Sequence, residues 1–218
     1  MNPAHALVNS ASRPYLACGR FAYHFARGKL RQDPVFAAIL SRGLLAGSAR
    51  ILDLGCGQGL LAAWLLAAGS RAEFRGIERV RRYALRARRA LGAQAEFVIG
   101  DLRGTDFGRA DGVVILDVLH YLEYAEQCGI LERARGALTG GGVLLLRVGD
   151  AGGGWGFKFG QWIDQLTLLM TGQGFRRLHC RPAAEWRQLL SFAGFDSETV
   201  PMSAGTPFAN VLLIARPR

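Results

Sequence analysis

Short apolar runs alternate with helical patterns through the middle of the chain. Residues 49–55 (ARILDLG) form an apolar run ending in glycine, and residues 60–69 (LLAAWLLAAG) follow with the spacing of a helix. The alternation continues through predicted strands at residues 72–78, 95–101, 110–117 and 141–150, with helices at 79–89 and 121–138. Because each return to the same edge of a sheet needs a crossover helix, this order predicts parallel strands.

The C-terminal part of the chain has a different pattern. Residues 183–195 predict one more helix, and two strands follow at residues 195–200 and 209–216, joined by the short link MSAGTPF. A link this short is typical of an antiparallel hairpin. We therefore predict an α/β, Rossmann-like fold, with a mostly parallel sheet of seven strands, a reversed last strand and helices on both faces.

The length of 218 residues favours one globular domain. Residues 15–45 predict one or two helices with no place in the sheet, which we expect to cover the site as an N-terminal extension. The expected organisation within a single domain at 1–218 is an N-terminal helical cover at 1–47, a core of alternating strands and helices at 48–150, an insertion at 151–182, and a C-terminal helix and β-hairpin at 183–218.

Composition narrows the class of protein. Half of the residues are hydrophobic and a fifth are charged, which is typical of a globular chain. The longest apolar stretches are shorter than the roughly 20 residues that cross a bilayer, and the N-terminus lacks the pattern of a secretory signal. The four cysteines are scattered singly, which favours neither a zinc site nor a disulfide framework. We predict a cytoplasmic protein without a metal.

The formal net charge is +10, and arginines spread along the chain carry most of it. Two interpretations stay open. The charge attracts nucleic acid, an anionic membrane surface or an acidic protein, or it reflects the base composition of the genome. The densest cluster, RVRRYALRARR at 79–89, is also explained by the solvated face of a helix that packs on the sheet.

The segment ILDLGCGQG at 51–59 carries most of the functional information. It is a buried strand with an acid near its end, followed by Gly55, Gly57 and Gly59 at alternate positions. Glycine permits positive φ and the close approach of a ligand to the backbone. A tight strand-to-helix turn would also explain these glycines. A nicotinamide dehydrogenase would have GxGxxG to seat a pyrophosphate, whereas the spacing here is GxGxG, which favours a different cofactor.

Acidic residues recur where the predicted strands end. They are Asp53, Glu78, Asp101 and Asp117, on four successive strands. Ligands of open α/β sheets bind at the carboxyl ends of the strands, so these acids are expected to line one crevice. Glu78 would lie beside the glycine loop, where its carboxylate can accept hydrogen bonds from two ribose hydroxyls.

Residues 49–150 resemble class I S-adenosylmethionine-dependent methyltransferases. LDLGCGQG matches the first motif of that family, GIE matches its ribose-binding acid, and GD matches its adenine-side acid. The resemblance implies an enzyme whose cofactor is S-adenosylmethionine. It further implies a cofactor site of Asp53, Gly55, Gly57, Gly59, Glu78, Asp101, Leu102 and Asp117.

The family implies a role for each of these positions. Gly55 and Gly57 would approach the methionine and ribose, and Glu78 would hold the ribose hydroxyls. Asp101 would bind the adenine amino group with the Leu102 amide beside it, and Asp53 would orient the loop or the methionine amino group. Cys56, within the loop, is expected to be structural.

Three histidines, His120, His24 and His179, are candidates for a catalytic base. Methyl transfer mainly requires that the acceptor be positioned and, where needed, deprotonated. His120 follows the fourth strand in VILDVLHYL, and histidine ordinarily titrates near neutrality. Packing under the cofactor is the alternative role for His120. His24 is the second candidate, if the N-terminal helices close over the site.

Residues 154–179 are rich in Trp, Phe, Leu and Met, which favours an apolar or aromatic acceptor, although packing on the sheet would explain the same composition. The predicted acceptor pocket consists of Tyr23, Tyr121, Trp155, Phe159 and Trp162.

Motifs of other methyltransferase types are missing after the fourth strand. The chain has DVLH where enzymes that methylate adenine in nucleic acid have N/D-P-P-Y/F/W. It also lacks the cysteine nucleophile that cytosine-C5 enzymes have there, and the Asp-Asn pair of metal-dependent catechol-type enzymes. Nucleic acid and metal are therefore disfavoured.

The sequence thus predicts O- or C-methylation of a small apolar or aromatic acceptor. One form of this prediction places the acceptor on an acidic acyl carrier protein, because the chain also resembles stand-alone methyltransferases of bacterial polyketide and aryl-polyene pathways. Two alternatives stay open. One is a lipid or quinone-like acceptor at a membrane surface, and the other is a non-catalytic subunit that binds the cofactor and serves as a scaffold.

Overall fold

The computed structural model describes residues 3–170, 174 and 177–218, without the side chains of residues 3, 158, 159, 164, 166–168 and 170. Seven strands form one sheet. They are β1 (Arg50–Leu54), β2 (Glu73–Glu78), β3 (Glu96–Ile99), β4 (Ala110–Leu116), β5 (Leu138–Gly149), β6 (Phe195–Pro201) and β7 (Asn210–Pro217).

Helices surround the sheet. The α-helices are α1 (Pro3–Ser12), α2 (Arg20–Gln32), α3 (Pro34–Ser41), α4 (Leu60–Ala67), α5 (Arg81–Leu91), α6 (Tyr124–Ala137), α7 (Gly154–Met170) and α8 (Ala183–Phe192). Short 3₁₀ turns cover Arg13–Cys18, Gly92–Gln94 and Leu119–Tyr121. In the described ranges, none of the helices combines the length and the apolar composition that crossing a membrane requires.

The strand order is β3-β2-β1-β4-β5-β7-β6. The pairs β1–β2, β2–β3, β1–β4 and β4–β5 are parallel, whereas β7 runs antiparallel to both β5 and β6. The predicted fold class, with its reversed last strand, is confirmed. From β1 the chain adds β2 and β3 on one side of the sheet, and it then crosses to the other side of β1 to add β4 and β5. A crevice opens where the strand order reverses, between the carboxyl ends of β1 and β4.

The two faces of the sheet pack against different helices. Alternate residues of the strands, such as Ile51 and Val114, pack with α1 to α5, whereas Leu52 and Ile115 pack with α6 and α8. All side chains from Leu60 to Leu65 in α4 are buried, which explains its unbroken apolar pattern. Arg81, Arg82, Arg88 and Arg89 of α5 are exposed, as expected for a solvated helix face, whereas Arg86 is half-buried and donates to Gln58 Oε1 at 3.0 Å.

The N-terminal part contains more helix than predicted. Residues 15–45 were expected to form one or two helices, and the described chain adds α1 before them. Val8 and Ala11 bury one side of α1 in the core cluster that includes α4. Tyr15 is fully buried, and its hydroxyl donates to the carbonyl oxygen of Gln58, 2.8 Å away. The N-terminal helices are therefore joined directly to the glycine loop.

Candidate functional site

Two cavities open at the carboxyl ends of the strands. The first, called here the glycine-loop cavity, has a volume of about 470 Å³ and is lined by Gly55, Gly57, Glu78, Asp101 and neighbouring residues. The second, called the α7 cavity, has a volume of about 450 Å³ and lies between the α2–α3 corner, α7 and the β6–β7 loop. Asp117 lines both cavities, so they meet at the end of β4.

The three loop glycines all have positive φ, but for different local reasons. The φ values are 77° at Gly55, 56° at Gly57 and 76° at Gly59. A Cβ at Gly55 would lie 2.3 Å from Val118 Cγ2, and one at Gly59 would lie 2.7 Å from Phe97 Cζ. At Gly57 the same position is open space. Gly55 and Gly59 therefore allow tight packing, whereas Gly57 leaves room on the cavity side of the loop.

Glu78, the last residue of β2, holds the glycine loop in place. Its Oε2 accepts a hydrogen bond from the Gly57 amide at 2.9 Å, and its Oε1 accepts one from the Val80 amide at 2.6 Å. Burial raises the pKa of Glu78, and these hydrogen bonds oppose that rise. Because a carboxylate oxygen accepts more than one hydrogen bond, Glu78 can shape the loop and also accept from a ligand hydroxyl.

Asp53 lies in β1, and only 8% of its surface is exposed. Burial, together with the nearby Glu78 carboxylate, raises the pKa of Asp53 to about 7. An acid with a raised pKa in the folded state binds its proton more tightly there than in the unfolded chain. Stability is therefore lost as the pH rises from the unfolded pKa towards the folded one. The predicted role of Asp53 in orienting the loop or the methionine amino group stays a prediction.

We expect Asp53→Asn to stabilise the protein more at pH 8.5 than at pH 5, because the stability lost through Asp53 grows as the pH rises from its unfolded pKa to its folded one, and asparagine does not ionise. The expected gain at pH 8.5 is an increase of at least roughly 3 °C in the unfolding midpoint, corresponding to about 1 kcal/mol for a chain of this length. Thermal unfolding at both pH values measures it. Equal effects at the two pH values would contradict a raised pKa at this position.

Asp101 follows β3 and is held by an arginine that sequence reasoning missed. Arg103 donates through Nε to Asp101 Oδ1 at 2.8 Å and through Nη2 to Oδ2 at 2.6 Å, and it also reaches Glu126. These hydrogen bonds lower the pKa of Asp101 to about 2. Leu102 is buried and lines the same cavity. Adenine recognition by Asp101 stays a prediction. The Asp101 carboxylate would have to accept hydrogen bonds from both Arg103 and the adenine amino group.

Asp117 is the one non-glycine residue in the described ranges with positive φ, at 58°. Its carboxylate accepts hydrogen bonds from Nε and Nη2 of Arg147, a buried residue of β5, and the Nε distance is 2.9 Å. Sequence reasoning missed Arg147. The signal was available, because Arg147 is the one charged residue within the apolar run GGVLLLRVG.

The α7 cavity combines an apolar wall with a polar end. Phe157, Ile163 and Met202 contribute apolar side chains, and Asp117 and His120 lie on the side of the strands. His120 is 6% exposed, and its ring centroid lies 4.1 Å from that of Tyr121. The structure therefore places His120 at the boundary of the cavity that could hold an acceptor.

Most of the other residues predicted to contact the acceptor lie outside the α7 cavity. His24 lies on the exposed side of α2, and Tyr23 is half-buried against the core. Tyr121 lines the glycine-loop cavity. Trp155 and Trp162 are 87% and 61% exposed, and neither belongs to the described lining of the two cavities.

The orientation of α7 explains this difference. Among its described positions, the helix turns Gly156, Phe157, Gly160 and Ile163 towards the cavity, at the three- to four-residue spacing of one helical face. A Cβ at Gly156 would lie 2.9 Å from the carbonyl oxygen of Pro207, so this face packs closely on the β6–β7 loop. The side chain of the predicted Phe159 lies outside the described residues.

A strap at residues 177–181 separates the two cavities. His179 lines the glycine-loop cavity, and the next residue, Cys180, lines the α7 cavity. The buried Gln127 holds the strap, since its Nε2 donates to the His179 carbonyl at 2.7 Å and its Oε1 accepts from Arg181 Nε at 2.8 Å. Gln127 was also missed by sequence reasoning.

These features define a class of protein. A mostly parallel sheet, a crevice between β1 and β4, three left-handed glycines after β1 and an acid at the end of β2 form a Rossmann-like site for a nucleoside cofactor. The open space at Gly57 and the acceptor oxygens of Glu78 fit a ligand that carries ribose hydroxyls. Within the described residues, no group of three or more His, Cys, Asp and Glu side chains could hold a metal ion.

Comparison with known proteins identifies the domain. Residues 51–142 match a family described as methyltransferase domain. The fold resembles human N-acetylserotonin methyltransferase in complex with S-adenosylmethionine, with a TM-score of 0.65, 21% identity, and coverage of 88% of this chain and 53% of that chain. Residues 51–142 therefore match a methyltransferase domain, and the chain shares the fold of a methyltransferase that binds S-adenosylmethionine.

Two further structures show the same fold. An O-methyltransferase family protein from Burkholderia thailandensis gives a TM-score of 0.68 and 19% identity, covering 93% of this chain and 61% of that chain. Magnesium protoporphyrin IX methyltransferase from Synechocystis PCC 6803 with bound S-adenosylhomocysteine gives a TM-score of 0.63 and 22% identity, covering 91% of this chain and 88% of that chain. The chain spans between about half and three-fifths of the length of the human and Burkholderia proteins. Among curated protein sequences, none matches significantly.

Proposed function

We propose that this protein transfers the methyl group of S-adenosylmethionine to a small, largely apolar acceptor, at oxygen or carbon. The observation that carries the proposal is the pair of cavities that meet at Asp117. One contains the glycine loop and Glu78, which suit the cofactor. The other, beside His120, is left for the acceptor.

The size and lining of the α7 cavity support a small acceptor. A volume of about 450 Å³ is within the range of small-molecule sites. Phe157, Ile163, Met202 and Pro207 would contact an aromatic or aliphatic body. Two of the structural neighbours are named for ring compounds of this general kind, N-acetylserotonin and magnesium protoporphyrin IX. Delivery of the acceptor by an acyl carrier protein or from a membrane surface stays a prediction from the sequence.

The residues of the chain would contribute mainly by positioning. When bound, S-adenosylmethionine supplies an electrophilic methyl group on a sulfonium. Gly57 and Glu78 would hold the cofactor, and the apolar wall of the α7 cavity would orient the acceptor and exclude water. If the acceptor is a hydroxyl, His120, which lines the α7 cavity, would take its proton at an imidazole nitrogen.

Calorimetric titration with S-adenosylmethionine, with NADH as the control ligand, tests the cofactor part of this proposal. We expect binding of the former alone, and binding of NADH alone would overturn the proposal. A panel of phenols, quinols and other apolar acceptors then tests transfer, measured as release of S-adenosylhomocysteine. Cofactor binding without release on any acceptor or cell extract would favour the non-catalytic scaffold.

His120→Ala is expected to leave cofactor affinity within about twofold of the wild type and to slow transfer to a hydroxyl acceptor by roughly 10²–10⁴-fold, the usual contribution of a general base. The reason is that His120 lines the α7 cavity rather than the glycine-loop cavity. Single-turnover transfer rates measure the effect. His24→Ala is the comparison variant, because His24 is exposed on α2. Equal rates in His120→Ala and wild type would assign His120 to packing.

A further inference from the structure

Arg147 is a buried arginine held between two carboxylates from distant parts of the chain. Only 2% of its surface is exposed. Its Nη1 donates to Asp33 Oδ1, and its Nε and Nη2 donate to the two oxygens of Asp117. The side chain of Asp33 is also buried, whereas that of Asp117 is 31% exposed. Taking the two buried charges out of water is costly, and they are stable there only when they are paired with good geometry. Arg147 therefore connects these two acids closely.

We propose that Arg147 is a positioning residue that couples the N-terminal helices to the cofactor site. The inference rests on the proposed function in one respect, since it takes the glycine-loop cavity as the site of S-adenosylmethionine. It goes beyond that function by linking cofactor affinity to Asp33, which belongs to the wall of the other cavity.

The Asp33 end of the link fixes the corner between α2 and α3. Asp33 caps α3 by accepting a hydrogen bond from the Val35 amide at 3.1 Å, and it pairs with Lys29 Nζ at 2.8 Å. Burial raises the pKa of Asp33, but Arg147 and Lys29 outweigh it and hold the pKa at about 2. Asp33 is therefore ionised at neutral pH. The corner that it fixes brings Lys29, Gln32, Asp33 and Pro34 to the α7 cavity.

The Asp117 end of the link reaches the cofactor site. Asp117 lines both cavities, and its backbone has a positive φ that is costly for a residue with a Cβ. The guanidinium fork and the hydrogen bond from the Asp117 amide to the Arg147 carbonyl oxygen, at 3.1 Å, hold it in this conformation. Any change in how Arg147 is shared between the two acids therefore acts on a residue that faces the cofactor.

The sign of the coupling follows from charge. Asp33 and Asp117 carry two negative charges, and Arg147 and Lys29 balance them with two positive charges, so removing the charge of Asp33 would leave the cluster with a net positive charge. Removing the charge of Asp33 would let Arg147 neutralise Asp117 fully. The negative potential at the glycine-loop cavity would then be weaker, and a cationic sulfonium ligand would bind less tightly.

Asp33→Asn tests the coupling, because asparagine keeps the size and the capping oxygen but removes the charge. We expect the calorimetric dissociation constant for S-adenosylmethionine to rise roughly three- to tenfold, within the range typical of coupling through a packed network. Asp111→Asn is the matched control. Asp111 also accepts backbone amide hydrogen bonds and pairs with an arginine, but it lies at the opposite end of the sheet. The Asp111→Asn variant should bind S-adenosylmethionine with the dissociation constant of the wild type.

A double-mutant cycle separates this role from a merely structural one. In the Arg147→Met background, Asp33→Asn should have no further effect on cofactor affinity, because the link is already broken. If Arg147→Met fails to fold, Arg147→Lys serves the same cycle, since one ammonium replaces the three-donor fork. In that background the effect of Asp33→Asn should fall to less than half of its wild-type size.

The outcomes are distinguishable. Unchanged affinity in Asp33→Asn, or fully additive effects in the cycle, would overturn the coupling while leaving the cofactor site in place. Failure of the wild-type protein to bind S-adenosylmethionine would instead overturn the proposed function on which the coupling rests.

Discussion

Glu78→Ala is expected to weaken the binding of S-adenosylmethionine by about 1–3 kcal/mol, or roughly 5- to 150-fold in the dissociation constant. The substitution removes the acceptors of the Gly57 and Val80 amides, so the loop loses its fixed position beside the cavity. It also removes the oxygens predicted to accept from the ribose hydroxyls. Both losses act on the same ligand, so calorimetric titration of the purified variant measures their sum.

The control for this variant is Glu96→Ala. Glu96 lies on the adjacent strand β3, but its side chain is 64% exposed and makes one solvent-screened ion pair with Arg75. Exposed pairs of this kind contribute little to stability or to the field at a distance. The affinity of the Glu96→Ala variant for S-adenosylmethionine should match that of the wild type. If Glu78→Ala bound the cofactor as tightly as Glu96→Ala, Glu78 would be excluded from the site.

Gly59→Ala is expected to destabilise the fold by about 2–5 kcal/mol, because it combines backbone strain with overpacking. The φ of 76° costs a residue with a Cβ about 1–2 kcal/mol. The new Cβ would also lie 2.7 Å from Phe97 Cζ and 3.1 Å from Ala87 Cβ, and overpacking of this kind costs about 1–3 kcal/mol. Urea unfolding, followed by circular dichroism, measures the free energy of unfolding.

Gly57→Ala provides the matched comparison. It has the same left-handed backbone requirement, with a φ of 56°, but its Cβ would enter open space at the edge of the glycine-loop cavity. We therefore expect a smaller loss of stability, about 1–2 kcal/mol, together with weaker cofactor binding. Equal stability of the two alanine variants would mean that the packing of Gly59 against Phe97 contributes nothing.

Local patterns predicted most of the elements in the chain. The boundaries of β1 to β5 and of α8 agree with the apolar runs to within a few residues. Helix α1 was missed, because residues 3–12 combine small, polar and apolar residues without a sustained apolar stripe. Its position depends on burial of Val8 and Ala11 in the core that includes α4, which is a long-range effect.

The sequence predicted the residues around the α7 cavity less completely than those of the glycine loop. Composition indicated that residues 154–179 would contribute apolar side chains, and Phe157 and Ile163 do line the α7 cavity. Composition could not indicate which face of α7 turns inward. The contact of Gly156 with the β6–β7 loop determines that, and it leaves Trp155 and Trp162 exposed.

Of the four acids expected to line one crevice, Asp53 lies outside the described lining of both cavities. The sequence by itself determined the fold class, the glycine loop and the position of Glu78, Asp101 and Asp117 beside it. It could do so because hydrophobic periodicity is local, and because the ends of parallel strands necessarily meet at one edge of the sheet. Only the tertiary structure decided that Arg147 lies between Asp33 and Asp117. Arg147 and Asp33 are 114 residues apart, and a pairing between such distant side chains arises only when the packed elements bring them together.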